Sequence, residues 1–186
     1  MPPGFRQGQS IKCRLDVYSR QNIPKPRKIQ IMVRLADLPD YEREHLLSKN
    51  RSPIGPAVWV ANSKPLSDKR IALITTAGLH FRNDETFTFA DATFRAIPIE
   101  EDANNLVMSH SSANFDRSGF QEDINLVYPI DRFKELVAER VIGSLADVHY
   151  SFMGAGLLPE VYEKTVRSLA GMLKKDKVDA VFLTPV

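Results

Sequence analysis

Three polar stretches of this sequence carry side chains able to do chemistry. The first is Thr75-Thr76-Ala77-Gly78-Leu79-His80, and the second is Ser109-His110-Ser111-Ser112-Ala113-Asn114-Phe115-Asp116-Arg117. The third is the position just beyond the apolar run Asp179-Ala-Val-Phe-Leu-Thr-Pro-Val186. A histidine among hydroxyls and carboxylates can stabilise an anion or deliver a proton, and an arginine fork can hold a carboxylate. His110 is the leading catalytic candidate, with Asp116 and Asp123 to orient it and Arg117. Arg117, Thr76, His80, Ser111, Asn114 and His149 are the candidates for holding substrate.

Other chemistries fit less well. His80, His110 and His149 could join Asp116 and Asp123 around a metal, but their spacing matches no metal motif, and the single Cys13 excludes a thiolate cluster. No metal is expected. Ser111, His110 and Asp116 make a hydrolase triad on paper only. There is no Gly-x-Ser-x-Gly elbow, and neighbours in an extended chain point apart. Gly-x-Gly-x-x-Gly and P-loop signatures are absent, so nucleotide binding has no basis.

The elements that must position these residues alternate between strand-like and helix-like patterns. Residues 37–48 predict a short helix with Pro39 in its first turn, and 50–68 an irregular stretch around Trp59. Residues 70–76 predict the first strand, and 86–99 an edge strand kept from the sheet centre by Pro98. Residues 105–110 predict a second strand and 124–128 a brief extended run; 147–154 read as extended or irregular. Asp131 is placed to cap a helix that turns Phe133, Leu136, Val137 and Val141 inward and stops at Gly143. Pro159 opens another, with Tyr162, Val166, Leu169 and Leu173 inward. The terminal run from Asp179 then reads as a parallel strand buried on both faces. The expected class is α/β, a mainly parallel sheet flanked by helices in a Rossmann-like three-layer arrangement. In such sheets ligands bind beyond the carboxyl ends of the strands, so the three polar stretches should share one rim.

Composition narrows the partners. The chain has 186 residues, 43% apolar and 26% charged, ordinary for a globular domain. Its longest apolar runs fall short of the roughly 20 residues that span a bilayer, and no signal-like segment opens it. A cytoplasmic protein without membrane contact is expected. The net charge of +2 is uneven. Residues 1–31 hold seven bases against one acid, while the remainder holds 18 bases against 22 acids. This basic stretch lacks interleaved aromatics or an RNA-binding signature, so no nucleic-acid partner is expected. It reads as a disordered extension upstream of a natural start at Met32, leaving 32–186 as the domain.

Several stretches together resemble the selenoprotein B family, which includes subunits of the glycine, sarcosine, betaine and D-proline reductases. They are Leu73–His80, Met108-Ser-His-Ser-Ser-Ala-Asn-Phe-Asp-Arg-Ser-Gly-Phe-Gln-Glu-Asp-Ile-Asn125, Tyr128-Pro-Ile-Asp-Arg132, Val141-Ile-Gly-Ser144, His149-Tyr-Ser-Phe-Met-Gly154 and Val178–Val186. The likeness runs from about Met32 to Val186 and is closest to the shorter, D-proline-reductase-like members. In that family the last strand is followed at once by selenocysteine or cysteine. The resemblance therefore implies a chain cut short of its nucleophile, either by a UGA selenocysteine codon read as stop or by a real stop in a damaged gene. It also implies reductive cleavage of a C–N bond alpha to a carboxylate, with a pyruvoyl group on a partner subunit activating the amine. Selenium suits this because its low pKa keeps it ionised at neutral pH. The implied substrate is small and amino-acid-like, this chain carries no cofactor of its own, and a partner subunit or homo-oligomer is expected. By itself the chain should be inactive. The rivals are a binding or scaffold protein that kept the fold and lost the chemistry, or a metal-dependent hydrolase on His110, His149 and Asp116.

Overall fold

The computed structural model describes residues 34–48, 55, 60–61, 63–112 and 115–186. The extension 1–31, Met32, Trp59 and Asn114 lie outside the described residues. Two compact units are present, Met1–Ser52 and Pro53–Val186. Within the first, a 3-10 turn, Leu35–Asp37, leads to helix α1, Asp40–Ser48. The helix starts three residues later than predicted, with Pro39 just before it rather than in its first turn, while Asp40 and Glu42 do lie in that turn against the positive end of the dipole.

The second unit is built around strand β1, Arg70–Thr75. On one side β1 pairs in parallel with β7, Ala180–Thr184, from Ile71↔Ala180 to Thr75↔Thr184. On the other it pairs in parallel first with β5, Ser144–Leu145, and then with β6, Val148–Phe152. The outer edge of β6 carries β3, Phe94–Pro98, antiparallel. The sheet is thus mainly parallel with one antiparallel border, and Pro98 lies on that border as expected.

Alternation along β1 and β6 sends side chains to two faces. Ile71 and Leu73 pack into a core with Ile130, Phe133 and Leu136 of helix α3, Ile130–Ala138. Tyr150 and Phe152 pack with Ile74, and with Leu169 and Leu173 of helix α4, Glu163–Lys175, on the opposite face. Burying side chains such as Leu73 and Leu169 stabilises by about 1.5–3 kcal/mol each. Between β5 and β6 the ladder breaks, and β1 would be left with an unpaired donor. His149 fills the gap: its Nδ1 accepts the Leu73 N–H at 3.0 Å.

At the amino ends of the strands a charged knot fixes the sheet. Arg70 meets Asp176 at 2.6 Å and Asp147 at 2.8 Å, and Asp179 accepts the Arg70 N–H at 2.9 Å. Among the described residues no helix is long and apolar enough to cross a membrane.

Five expectations need correcting. Residues 105–110 do not add a strand to the main sheet; β4, Leu106–Met108, pairs antiparallel with β2, Leu79–Phe81, in a separate ribbon. Gly78, at φ 67°, turns the chain away from β1 just before β2 forms. The run 124–128 is a 3-10 turn, Ile124–Leu126, because the Asp123 carboxylate accepts the Asn125 N–H at 2.9 Å and imposes a cap. Asp131 is no cap: α3 starts from Pro129, and Asp131 sits inside its first turn, bound by Asn125 at 3.0 Å. Val141 lies past the end of α3 and Val166 on the outer side of α4, 42% and 47% exposed. Finally, β7 is not buried on both faces. Among the described residues it pairs only with β1, leaving Phe182 42% and Leu183 64% exposed, although Phe182 keeps a ring contact with Phe133 at 4.8 Å.

Candidate functional site

The carboxyl ends of β1, β6 and β7 meet at Thr76. Its N–H donates to Thr184 O at 3.1 Å, and its carbonyl accepts the Gly154 N–H at 2.9 Å. Its hydroxyl accepts the Val186 N–H at 2.8 Å. One side chain therefore ties the end of β7 to the end of β1. Gly154 is needed opposite, since a Cβ there would meet Thr76 Cβ at 2.7 Å.

The second polar stretch reaches this rim by a route the sequence does not reveal. The Gly78 carbonyl accepts the Ser109 N–H at 2.9 Å, and the Gly78 N–H donates to Phe152 O at 2.8 Å. A Cβ at Gly78 would stand 3.0 Å from the backbone nitrogen of His110. Glycine is required here for both its positive φ and this close approach. Ser111 Oγ lies 3.2 Å from the sulfur of Met153, which bridges to Ala77 across the sheet end.

His110 is 5% exposed and packs edge-on against Phe115, ring centroids 4.9 Å apart. Its Nδ1 accepts the Ser112 N–H at 3.2 Å, while its Nε2 has no hydrogen-bond partner. Burial first, and then the positive charge of Arg117, hold its pKa below the ordinary histidine value. Arg117 grips the loop, its guanidinium donating to the carbonyls of His110 and, at 3.1 Å, Ser112.

The remaining candidates separate. His80 is buried, with Nδ1 2.7 Å from Phe81 O and Nε2 2.7 Å from Ser109 Oγ. A carbonyl only accepts, so Nδ1 carries the proton and, in the neutral ring, Nε2 accepts from the Ser109 hydroxyl. His149 is fully buried beside Tyr128, ring centroids 5.8 Å apart, and burial above all pushes its pKa down to about 4. Asp116 accepts from the Ser118 N–H and hydroxyl, and Asp123 from the Asn125 N–H and amide. Those bonds to the following backbone N–H groups hold both carboxyls below the usual range. Among the described residues no hydrogen bond or ion pair joins either acid to His110 or Arg117. No three His, Cys, Asp or Glu side chains among the described residues converge as metal ligands. A cleft of about 560 Å³ opens elsewhere, beside Phe81, Arg82, Asp84 and Glu101, and none of the candidates lines it.

Sequence reasoning missed Ser109 and Gly78 as site residues. Their signal is the antiparallel pairing of β2 with β4, which brings the two polar stretches together and is invisible in linear spacing.

The family profile of glycine/sarcosine/betaine reductase selenoprotein B matches residues 7–186. The D-proline reductase subunit gamma of Acetoanaerobium sticklandii is 38% identical over 131 residues, 69% of this chain and 53% of that protein. The glycine reductase complex component B subunit gamma of Symbiobacterium thermophilum is 31% identical over 85% of this chain and 37% of its own length. The sarcosine reductase complex component B subunit beta of Peptoclostridium acidaminophilum is 28% identical, over 85% of this chain and 36% of that one. The matched stretch thus spans about half or less of these relatives. No solved structure matches. Since the profile match takes in nearly the whole sequence, the chain belongs to the glycine/sarcosine/betaine reductase selenoprotein B family.

Proposed function

We propose that this chain forms the substrate-side half of a reductase subunit that cleaves a C–N bond of a small amino-acid-like substrate reductively. The selenol or thiol nucleophile arrives immediately after Val186, and a partner subunit carries the pyruvoyl group. Supplied there, the nucleophile would attack the carbon alpha to the carboxylate and displace the amine; a thiol would then take the selenium or sulfur from that carbon, leaving a selenide–sulfide or disulfide that an external dithiol reduces again. The completed fold is a Rossmann-like three-layer α/β domain, and the protein works in the cytoplasm.

The observation that carries this reading is the Thr76–Val186 bond, which fixes the end of β7 at the rim beside Gly154. A residue joined there would start from a backbone already positioned, as a nucleophile needs. Family membership supports the reaction class, and the relatives' names support a partner subunit. Arg117 is the group suited to a substrate carboxylate, because among the described residues the loop carbonyls engage its Nη2 alone. His110 lies along the same loop, with Thr76 and Ser111 as further polar groups at the rim.

The test is to sequence the gene past the Val186 codon and to assay two products. An in-frame UGA followed by coding sequence for a cysteine-bearing continuation is expected. The recoded, extended protein with its partner subunit should reduce D-proline, glycine, sarcosine or betaine, while the 186-residue product alone should not. A different stop with no continuing frame, or reduction by the 186-residue product alone, would overturn the proposal.

A further inference from the structure

Two buried histidines share one tautomer and one unmet bond. A backbone N–H can only donate, so the Nδ1 of His110, facing the Ser112 N–H at 3.2 Å, must present a lone pair. The same holds for His149 beside the Leu73 N–H at 3.0 Å. Each neutral ring therefore carries its proton on Nε2, and in both rings Nε2 has no hydrogen-bond partner. A buried donor without an acceptor costs about 1–3 kcal/mol, so two in one small domain call for separate explanations.

For His149 the explanation is structural. Its ring is fully buried between β1, β6 and Tyr128, and repairing the break in the ladder compensates for the idle Nε2–H. His110 repairs no ladder. It sits on a loop at the rim, next to exposed Ser111, and Phe115 meets its ring only edge-on at 4.9 Å. Arg117 secures the backbone on both sides of the ring by holding the carbonyls of His110 and Ser112. The backbone around the ring is thus braced, and the Ser112 N–H on Nδ1 orients the imidazole with its Nε2–H left over.

We propose that His110 is a fixed, uncharged hydrogen-bond donor whose Nε2–H is kept for an anionic acceptor atom brought to the rim. This rests on the rim being the reaction site, and it narrows the role of His110 there. With Nδ1 occupied and Nε2 protonated, the ring is not the general base, and it does not meet the anion as a cation. It stabilises negative charge by donation from a desolvated site, where one hydrogen bond counts for more than in water. Burial and the nearby Arg117 charge, which lower its pKa, keep it in that state. The acceptor is either a substrate carboxylate or an ionised sulfur or selenium atom.

The experiment is long-range proton–nitrogen NMR on the uniformly nitrogen-15-labelled chain at pH 7, with the His110 signals assigned by their loss in His110→Gln. If that variant fails to fold, Phe115→Leu identifies them by removing the neighbouring ring current. The expected result is a bare Nδ1 and a protonated Nε2 on His110, with a saturable downfield movement of the Nε2 proton on adding an anion. Movement with acetate alone assigns the substrate carboxylate, and movement with hydrosulfide alone assigns the nucleophile. His149 should show the same tautomer and respond to neither. A proton on Nδ1 of His110, a charged ring at pH 7, or no response to either anion overturns the proposal. None of these readouts depends on the reading frame or on turnover, so failure here stays distinct from failure of the reductase assignment.

Discussion

His149 and Leu73 are joined by a hydrogen bond that does the work of a missing strand: the imidazole Nδ1 takes the backbone N–H of β1 at 3.0 Å where β5 gives way to β6. Because the ring is fully buried, its state is coupled to folding. The folded pKa of about 4 lies below the ordinary 6.5, so the unfolded chain binds the extra proton as pH falls. This contribution to stability is complete above about pH 6.5 and is lost as pH falls toward 4, amounting to about 3 kcal/mol. Denaturant unfolding between pH 7 and pH 4 should show that decline, and His149→Gln should flatten it. A wild-type curve as flat as the variant's would contradict the assignment.

Gly78 is the hinge that lets the two polar stretches meet. Gly78→Ala adds a Cβ at positive φ against the backbone nitrogen of His110, 3.0 Å away. The left-handed conformation alone costs about 1–2 kcal/mol for a residue other than glycine. Thermal melting should drop accordingly, and the amide signals of residues 109–111 should move most. Equal stability with unshifted amides would mean that the turn is not under this constraint.

Removing the Thr76 hydroxyl should loosen the end of β7. Thr76→Val keeps the shape but deletes the acceptor for the Val186 N–H, a bond of about 1 kcal/mol. Hydrogen exchange at Val186 should accelerate about fivefold, while exchange at Leu73, deep in β1, stays unchanged. An unchanged rate at Val186 would show that Thr76 does not hold it.

Leu183 offers a contrast between the isolated chain and a longer protein. At 64% exposure, Leu183→Lys should alter the stability of the isolated chain by less than about 0.5 kcal/mol. Leu73→Ala, at 1% exposure, should cost about 2–5 kcal/mol. If the extended reductase covers β7, the same lysine should then cost several times more in that setting. Chemical denaturation of both forms makes the comparison, and identical small effects would argue that β7 stays uncovered.

Much of the scaffold was legible because its signals are local. β1, the Pro98 border strand, α1, α4 and the parallel β7 all follow from runs of apolar residues, proline positions and charged helix ends. The misses arise where one polar contact outweighs propensity. Asp123 turns an apolar pentapeptide into a 3-10 turn, and Asn125 takes Asp131 out of the capping role. The rim was legible in outline, since Thr76, Ser111 and His110 do gather near the strand ends. What the sequence could not show was that Asp116 and Asp123 spend their oxygens on neighbouring backbone, that His80 answers to Ser109, or that His149 belongs to the core. Those depend on the β2–β4 ribbon and the break between β5 and β6, both long-range features.

The two borders of the main sheet are not alike. On one, Pro98 withholds a donor, and Arg95 holds the approach to β3 in place through Asp91 at 3.2 Å and the face of Phe87 at 4.3 Å. On the other, β7 presents an apolar strand with its outer hydrogen-bonding groups unmatched among the described residues. Growth of this architecture is therefore one-way: an added strand would meet a closed margin beside β3 and a ready template beside β7.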